Sequence, residues 1–353
     1  MARRAHAMTD FDAVIVKNTA RFLLPLVIAN SWAALVVSGV AWSEFYPVLL
    51  LFVSTAAMLG GGLYVGCRGV YRVIGKGPFL CIDSAAWVAL GAGCLILLLP
   101  GFGAFKQLLL SQRGFVFDAA LAGLERTVLG GASAWQLTHA LFGSVWPTLI
   151  IGQIYSFWSL IFMAFPMAIP FVTRDGSRRA QMLIAWVLAW LLIGTFAAWV
   201  FASAGPCYYN DLVGPDPNFA ALNARLRSMA AEARAAGLEL SNIEFQSMLL
   251  KAQASGRYAP AGGISAMPSM HVAMATLIAL AGWTARRSVG QVLTAYALVI
   301  WIASIHLGWH YAADGPVAAV MMLGVWRLSA RIVQAIGGDR QVDATPDAEA
   351  CVA

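Results

Sequence analysis

Residues 181–203 read QMLIAWVLAWLLIGTFAAWVFAS, with no charged side chain and no alternation of apolar and polar positions. The length matches the roughly 20 residues an α-helix needs to cross a bilayer. Seven further apolar runs, at roughly 22–40, 46–66, 84–104, 148–171, 268–284, 288–308 and 313–330, repeat the pattern. They predict an all-α, polytopic membrane protein of about eight transmembrane helices. Most runs are hydrophobic all round, which argues against a closed membrane β-barrel. Composition agrees: 60% of the 353 residues are hydrophobic, 11% are charged, and the mean hydropathy of +0.73 is too high for a soluble domain.

Orientation follows from the short loops, because Lys and Arg are retained on the cytoplasmic side. Arg3, Arg4, Lys17 and Arg21 precede or open the first run. Arg68, Arg72 and Lys76 lie in the second connection, Arg174, Arg178 and Arg179 in the fourth, and Arg286 and Arg287 in the sixth. All fall on one side of an eight-helix arrangement. The other side has Glu44 without a base, and a long loop, 204–267, in which five bases (Arg225, Arg227, Arg234, Lys251, Arg257) balance five acids (Asp211, Asp216, Glu232, Glu239, Glu244). Both termini are therefore expected to be cytoplasmic and loop 204–267 extracytoplasmic, as in a bacterial inner membrane protein. The first apolar run is longer than that of a signal peptide and lacks a small-residue cleavage pattern, so it reads as an anchor. The net charge of +6 is accounted for by cytoplasmic loops, and no nucleic-acid partner is expected.

Within apolar surroundings an ionisable side chain is costly enough to mark a functional site. The chain has five histidines, and three of them fall in Pro268-Ser269-Met270-His271 and in His306-Leu307-Gly308-Trp309-His310-Tyr311-Ala312-Ala313-Asp314. Read as helix, His306, His310 and Asp314 are spaced i, i+4, i+8 and share nearly one face, so that the Asp314 carboxylate accepts a hydrogen bond from His310 and fixes its tautomer. Topology gives an independent check. His271 opens the sixth helix and His310 and Asp314 open the eighth, and both helices enter from outside, so the three converge on one membrane face. Ser269 reads as the cap of the sixth helix, a place that also aims N–H groups at a phosphate.

Pro268-Ser269-Met270-His271 together with His310-x-x-x-Asp314 resembles the second and third signature motifs of the type 2 phosphatidic acid phosphatase superfamily. The wording Gly263-Ile264-Ser265-Ala266-Met267-Pro268-Ser269-Met270-His271 with Gly308-Trp309-His310-Tyr311 is most similar to its inositol-phosphorylceramide-synthase-like branch. The resemblance covers about residues 115–330 and implies a six-helix catalytic core. It implies that His310 is the nucleophile that forms a phosphohistidine, that Asp314 orients it and that His271 protonates the leaving oxygen. Two features of that family are missing. No Lys and Arg-Pro pair separated by six residues occurs in 204–267, and Ser304 stands where an Arg is usual. Arg257 and Lys251 are the candidate substitutes, with backbone N–H groups at the start of the sixth helix; Ser269 is a further candidate for substrate binding, and His306 either contacts substrate or hydrogen-bonds a loop carbonyl. The missing cations favour a phosphodiester, with less charge to neutralise, over a phosphomonoester.

The expected function is a membrane lipid phosphotransferase that moves a phosphate-linked head group such as phosphoinositol to a ceramide- or diacylglycerol-like hydroxyl, lipid entering sideways between helices. Hydrolysis of a lipid phosphate or polyprenyl phosphate at the same site is the alternative. A b-type cytochrome needs histidines facing across helices, whereas His306 and His310 share a segment. A transporter would show repeat symmetry and broken segments at the midplane, which this sequence lacks. No cofactor and no metal is expected, since no cluster has metal-ligand spacing beyond the weak His306/His310 pair. The sequence leaves oligomeric state open. Segments 1–104, 105–336 and 337–353 are assigned as N-terminal transmembrane helices, catalytic membrane domain and disordered tail. Within the second, 105–146 reads as amphipathic helices at the outer interface, and 220–252 as an external helical hairpin capped at Asn218 or Asn223. His139, Tyr208 and Tyr209 read as members of an interfacial aromatic belt. No disulfide framework is expected.

Overall fold

The computed structural model describes residues 10–75, 80–258 and 262–337, and among these residues no strand occurs. The expected tail lies outside them except for Gly337, which ends the last helix; Arg3, Arg4 and Lys76 lie outside them too. Three long helices come first: α1 (Asp10–Ser38), α2 (Trp42–Val73) and α3 (Ile82–Ala104). Two short ones follow, α4 (Asp118–Val128) and α5 (Ala134–Phe142), then α6 (Val145–Val172) and α7 (Gly176–Leu188), the latter continued by a π-helical stretch Ala189–Ala197 and a turn Ala198–Val200. A hairpin of α8 (Pro217–Ala235) and α9 (Ser241–Ser255) precedes α10 (Met270–Ala285), α11 (Arg287–His306) and α12 (Asp314–Gly337).

All eight apolar runs are helices, and seven of the helices are long and apolar enough to cross a membrane. The eighth, α10, has 16 residues, about 24 Å at 1.5 Å per residue, and starts deep in the protein after a buried non-helical segment, 262–269. The run at 268–284 is thus shorter as a helix than as a sequence, because Pro268 and Ser269 belong to the turn that precedes it. Helices α7 and α10 form the centre: Met182, Leu183, Ile184, Trp186, Ala273, Met274 and Leu277 are fully buried. Around them the outer helices expose Trp32, Val36, Met58 and Val320, as a lipid-facing surface requires.

Helix α3 does not stop at residue 104. It runs on through a π-helical turn, Phe105–Leu109, and a last turn, Leu110–Arg113, so its apolar span extends to Leu109. Only α4 and α5 remain as the short helices expected in 105–146. The hairpin occupies its expected place, but its cap is Asp216, whose carboxylate accepts the Asn218 N–H at 2.9 Å, with Pro217 at the first helical position.

At the end remote from loop 204–267, Arg179 at the start of α7 pairs with Asp83 at the start of α3, both buried. The same guanidinium donates to the carbonyls of Thr173 (2.8 Å) and Pro170 (3.3 Å). Removing one partner strands a buried charge, so Asp83→Ala should cost about 3–5 kcal/mol. Thermal unfolding in detergent should show this loss, and the double change Asp83→Leu with Arg179→Met should recover most of it.

Candidate active site

Helix α11 ends at His306 and α12 begins at Asp314, and residues 307–313 between them are turns rather than the continuous helix expected from the i, i+4, i+8 spacing. Gly308, at φ 75°, takes the left-handed conformation that ends a helix. His306 consequently leaves the face of His310 and Asp314. The contact between the other two survives the break: Asp314 Oδ2 accepts from His310 Nδ1 at 3.1 Å and from the Tyr311 N–H at 3.0 Å. Asp314 is wholly buried and His310 is 5% exposed.

This geometry decides the tautomer. A carboxylate only accepts, so Nδ1 carries the proton and Nε2 the lone pair. Nε2 lies 3.1 Å from Ser269 Oγ. The same hydroxyl accepts the Val272 N–H at 3.4 Å as the cap of α10. The His271 ring stands 5.8 Å from that of His310, stacked on Tyr155 at 4.4 Å and against Trp158 at 4.0 Å. Aromatic packing fixes the ring and leaves its nitrogens free of hydrogen bonds to the described residues.

The turn at 307–313 is pinned from several sides. Gln246 of the hairpin donates to the Leu307 carbonyl (2.8 Å), the Cys207 N–H to Gly308 (2.8 Å) and the Trp301 indole to Ala312 (3.0 Å). The Ala312 N–H donates to Glu125 Oε2 (2.8 Å), and the Tyr311 hydroxyl to Asp118 Oδ1 (2.8 Å). Asp118 also accepts from the N–H groups of Ala204 (2.7 Å) and Gly205 (2.9 Å). Gly205, at φ 95°, has no room for a side chain, since a Cβ there would meet the Trp309 carbonyl oxygen at 2.5 Å. Burial pushes the carboxyls of Asp118 and Glu125 above their usual range, and the hydrogen bonds they accept work the other way.

Sequence reasoning missed these two acids because α4 reads as a surface helix. Their signal is weak: Asp118 and Glu125 are seven residues apart, on one face of a short helix. His139 and Tyr208, expected in an aromatic belt, are 4% and 3% exposed, and Tyr209 is buried with them. His139 Nε2–H donates to the His306 carbonyl at 2.8 Å, and the Tyr208 hydroxyl to the Gln246 carbonyl at 3.2 Å. Both support the turn from behind. His306 itself turns toward α5 and α6, with Nε2 at 2.9 Å from Thr148 Oγ1 and its ring 4.3 Å from that of His139.

The structure therefore brings together His310, Asp314, His271 and Ser269. It does not bring His306, Arg257 or Lys251 to them. The side chain of Arg257 is 78% exposed and pairs with Glu44 at 3.2 Å, and Lys251 lies on the exposed side of α9.

If Asp118 positions the turn, Asp118→Asn replaces one acceptor oxygen by an NH₂ group that faces donors already in place. It should destabilise the protein by about 1–3 kcal/mol and lower turnover at least about tenfold. Leaving turnover unchanged would separate α4 from the chemistry.

A family model described as the PAP2 superfamily matches residues 119–328, more than half of the chain, and the match includes His271, His310 and Asp314. No curated protein and no solved structure gives a significant match. The matched segment carries the turn, the cap and the two helix starts that hold the histidines, and the chain belongs to the PAP2 superfamily of membrane phosphoryl-transfer enzymes.

Proposed function

We propose that the protein transfers a phosphate-linked head group, phosphoinositol-like, from a donor lipid to a lipid alcohol through a phosphohistidine on His310. The observation that carries this reading is the Nε2 lone pair of His310, fixed by Asp314 and set beside an unpaired imidazole in a largely buried site. In the first step Nε2 forms a bond to phosphorus, the bond from phosphorus to the lipid oxygen breaks, and His271, entering protonated, gives its proton to that oxygen. In the second step neutral His271 takes the proton of the acceptor hydroxyl, whose oxygen bonds to phosphorus as the N–P bond breaks.

Water exclusion favours a lipid acceptor over hydrolysis, because a phosphohistidine open to solvent hydrolyses. Tyr155 and Trp158 pack on His271, Trp309 stacks on Tyr155, and the α8–α9 hairpin bonds to the turn through Gln246. An apolar cleft of about 340 Å³ between α10, α11 and α12 starts at Val272 and Gly315, the residues next to His271 and Asp314. It offers a lipid chain a lateral way toward the site. Hydrolysis of a lipid or polyprenyl phosphate at the same residues is the second reading.

With labelled phosphatidylinositol alone, membranes containing the protein should release little free head group, and added ceramide or diacylglycerol should raise donor consumption markedly. Release of inorganic phosphate from phosphatidate, unchanged by any added lipid alcohol, would establish hydrolysis instead. His310→Ala should lose at least about a thousandfold in rate, and Asp314→Asn should keep a small remainder.

The site face is assigned to the extracytoplasmic side, since Arg68, Arg72, Arg174, Arg178, Arg286 and Arg287 lie at the opposite helix ends. A cysteine in place of the exposed Glu239 should react with an impermeant thiol reagent on intact cells, while one at Ser177 should not. The reverse pattern would put the chemistry in the cytoplasm.

A further inference from the structure

We propose that the cleft between α10, α11 and α12 binds one hydrocarbon chain of the substrate lipid, first the donor's and then the acceptor's, and that Trp283 at its far end sets the length of chain it accepts. It rests on the phosphohistidine reading above.

The cleft, of about 340 Å³, has an indole at each end. At the site end the Trp301 Nε1–H donates to the Ala312 carbonyl at 3.0 Å, and a Cβ on Gly315 would meet Trp301 Cδ1 at 2.3 Å. At the far end the Trp283 Nε1–H donates to Thr294 Oγ1 at 3.0 Å, and a Cβ on Gly290 would meet Trp283 Cδ2 at 2.4 Å. Each ring is thus held by one hydrogen bond and by close packing on one glycine. Next to Trp283 the two helices close up, since a Cβ on Gly282 would stand 3.3 Å from the Gly290 backbone. Between the indoles the walls carry Thr276, Ala279, Ala297 and Ala319, whose short side chains leave the space open.

The surroundings select the occupant. None of the lining residues is charged, and an apolar space of this kind does not hold water. Leu298 and Pro316, which line it, are exposed on helices long and apolar enough to cross a membrane, so the medium outside is lipid. The face of α10 from Val272 to Trp283 is about 16 Å long at 1.5 Å per residue. A fully staggered hydrocarbon of roughly 13 carbons has that length. Spread over it, the volume leaves room for one chain, whose carbons touch their neighbours at about 4 Å, and not for two.

The mouth of the cleft decides which lipid enters. Val272 follows His271 and Gly315 follows Asp314, so the opening lies beside the imidazole that handles the lipid oxygen. His271 gives its proton to the leaving oxygen of the donor in the first step and takes the proton of the acceptor hydroxyl in the second. Both oxygens occupy the same place, and the chains attached to them enter the same cleft. The donor's lipid alcohol therefore leaves before the acceptor enters, a ping-pong order in which the two lipids compete and are selected for the same chain length.

The test uses the full chain in detergent micelles. One series varies the donor, phosphatidylinositol with dioctanoyl, dimyristoyl or distearoyl chains, against a fixed ceramide. The other varies the acceptor, diacylglycerols of the same lengths, against a fixed donor, with products separated by mass. In the wild type kcat/KM should peak at dimyristoyl in both. Trp283 is 45% exposed, so replacing it does not open the core. Trp283→Ala should raise the distearoyl-to-dimyristoyl ratio of kcat/KM at least about fivefold in both series. Trp283→Phe, which keeps a ring at the far end, should stay near the wild type. A general loss of activity cancels in this ratio. An unchanged ratio in Trp283→Ala overturns the proposal, and so does a shift in the donor series alone while acceptor is consumed, which would place the acceptor chain elsewhere. If His310→Ala keeps turnover, or if the wild type only hydrolyses its donor, the transfer reading fails and the acceptor's use of the cleft fails with it. The donor ratio, read on the hydrolysed lipid, then still decides the role of Trp283.

Discussion

A non-helical turn inside a membrane protein is tolerable only if its peptide groups find partners other than water. The turn at 307–313 meets that condition, and much of the outer half of the molecule serves it. The carboxylates of Asp118 and Glu125, the amide of Gln246, the indole of Trp301 and the imidazole of His139 each bond to this turn or to its last helical carbonyl. Without the turn, His310 would sit on a helix shared with His306. With it, His310 faces Ser269 across the gap between two helices.

The same constraint explains why α4, α5 and the α8–α9 hairpin are more than a cover. Each brings at least one polar side chain to a specific peptide group, and each is tied to another element in turn. Glu125 accepts the Ala134 N–H through Oε1 at 2.8 Å while Oε2 holds Ala312, so α4, α5 and the turn form one unit. Asn242 of α9 donates to the Gly152 carbonyl at 3.0 Å, which anchors the hairpin to α6 beside Tyr155. Buried polar groups that are fully paired rigidify a site, and half-paired ones are costly. The unpaired buried Oδ1 of Asp314 is an exception, and it lies on the carboxylate that orients His310.

The apolar runs were legible in the sequence because hydrophobicity over a span is a property of composition, which local neighbours do not alter. His271, His310 and Asp314 stood out for the complementary reason, that charge is rare there. The helix break at Leu307 was not legible from periodicity, since i, i+4 spacing accommodates both a helix and the turn that actually joins His310 to Asp314. Nor were Asp118 and Glu125, whose partners include backbone groups 86 and 187 residues away in sequence. The full length of α3 was hidden by a boundary: a lysine after an apolar run reads as the end of the span, whereas α3 runs on through a π-helical turn that lies against Gly262 and Gly263. Arg257 and Lys251 carry charge in the loop on the site face, but a loop charge has water as an alternative partner.

The N-terminal helices take on a different meaning in this light. The family model begins at residue 119, yet α3 reaches the site face and meets the segment that leads into the catalytic motif. The Tyr258 hydroxyl donates to the Pro100 carbonyl at 2.8 Å, and Gln107 bonds to the Arg257 carbonyl. These contacts make the approach to Ser269 dependent on α3, so that displacing α3 would disturb the cap of α10 and with it the hydroxyl beside His310. A helix outside the matched segment is in this way joined to the approach to the catalytic motif, and Gly262 and Gly263 leave no room for a side chain between that approach and the Phe105–Leu109 turn.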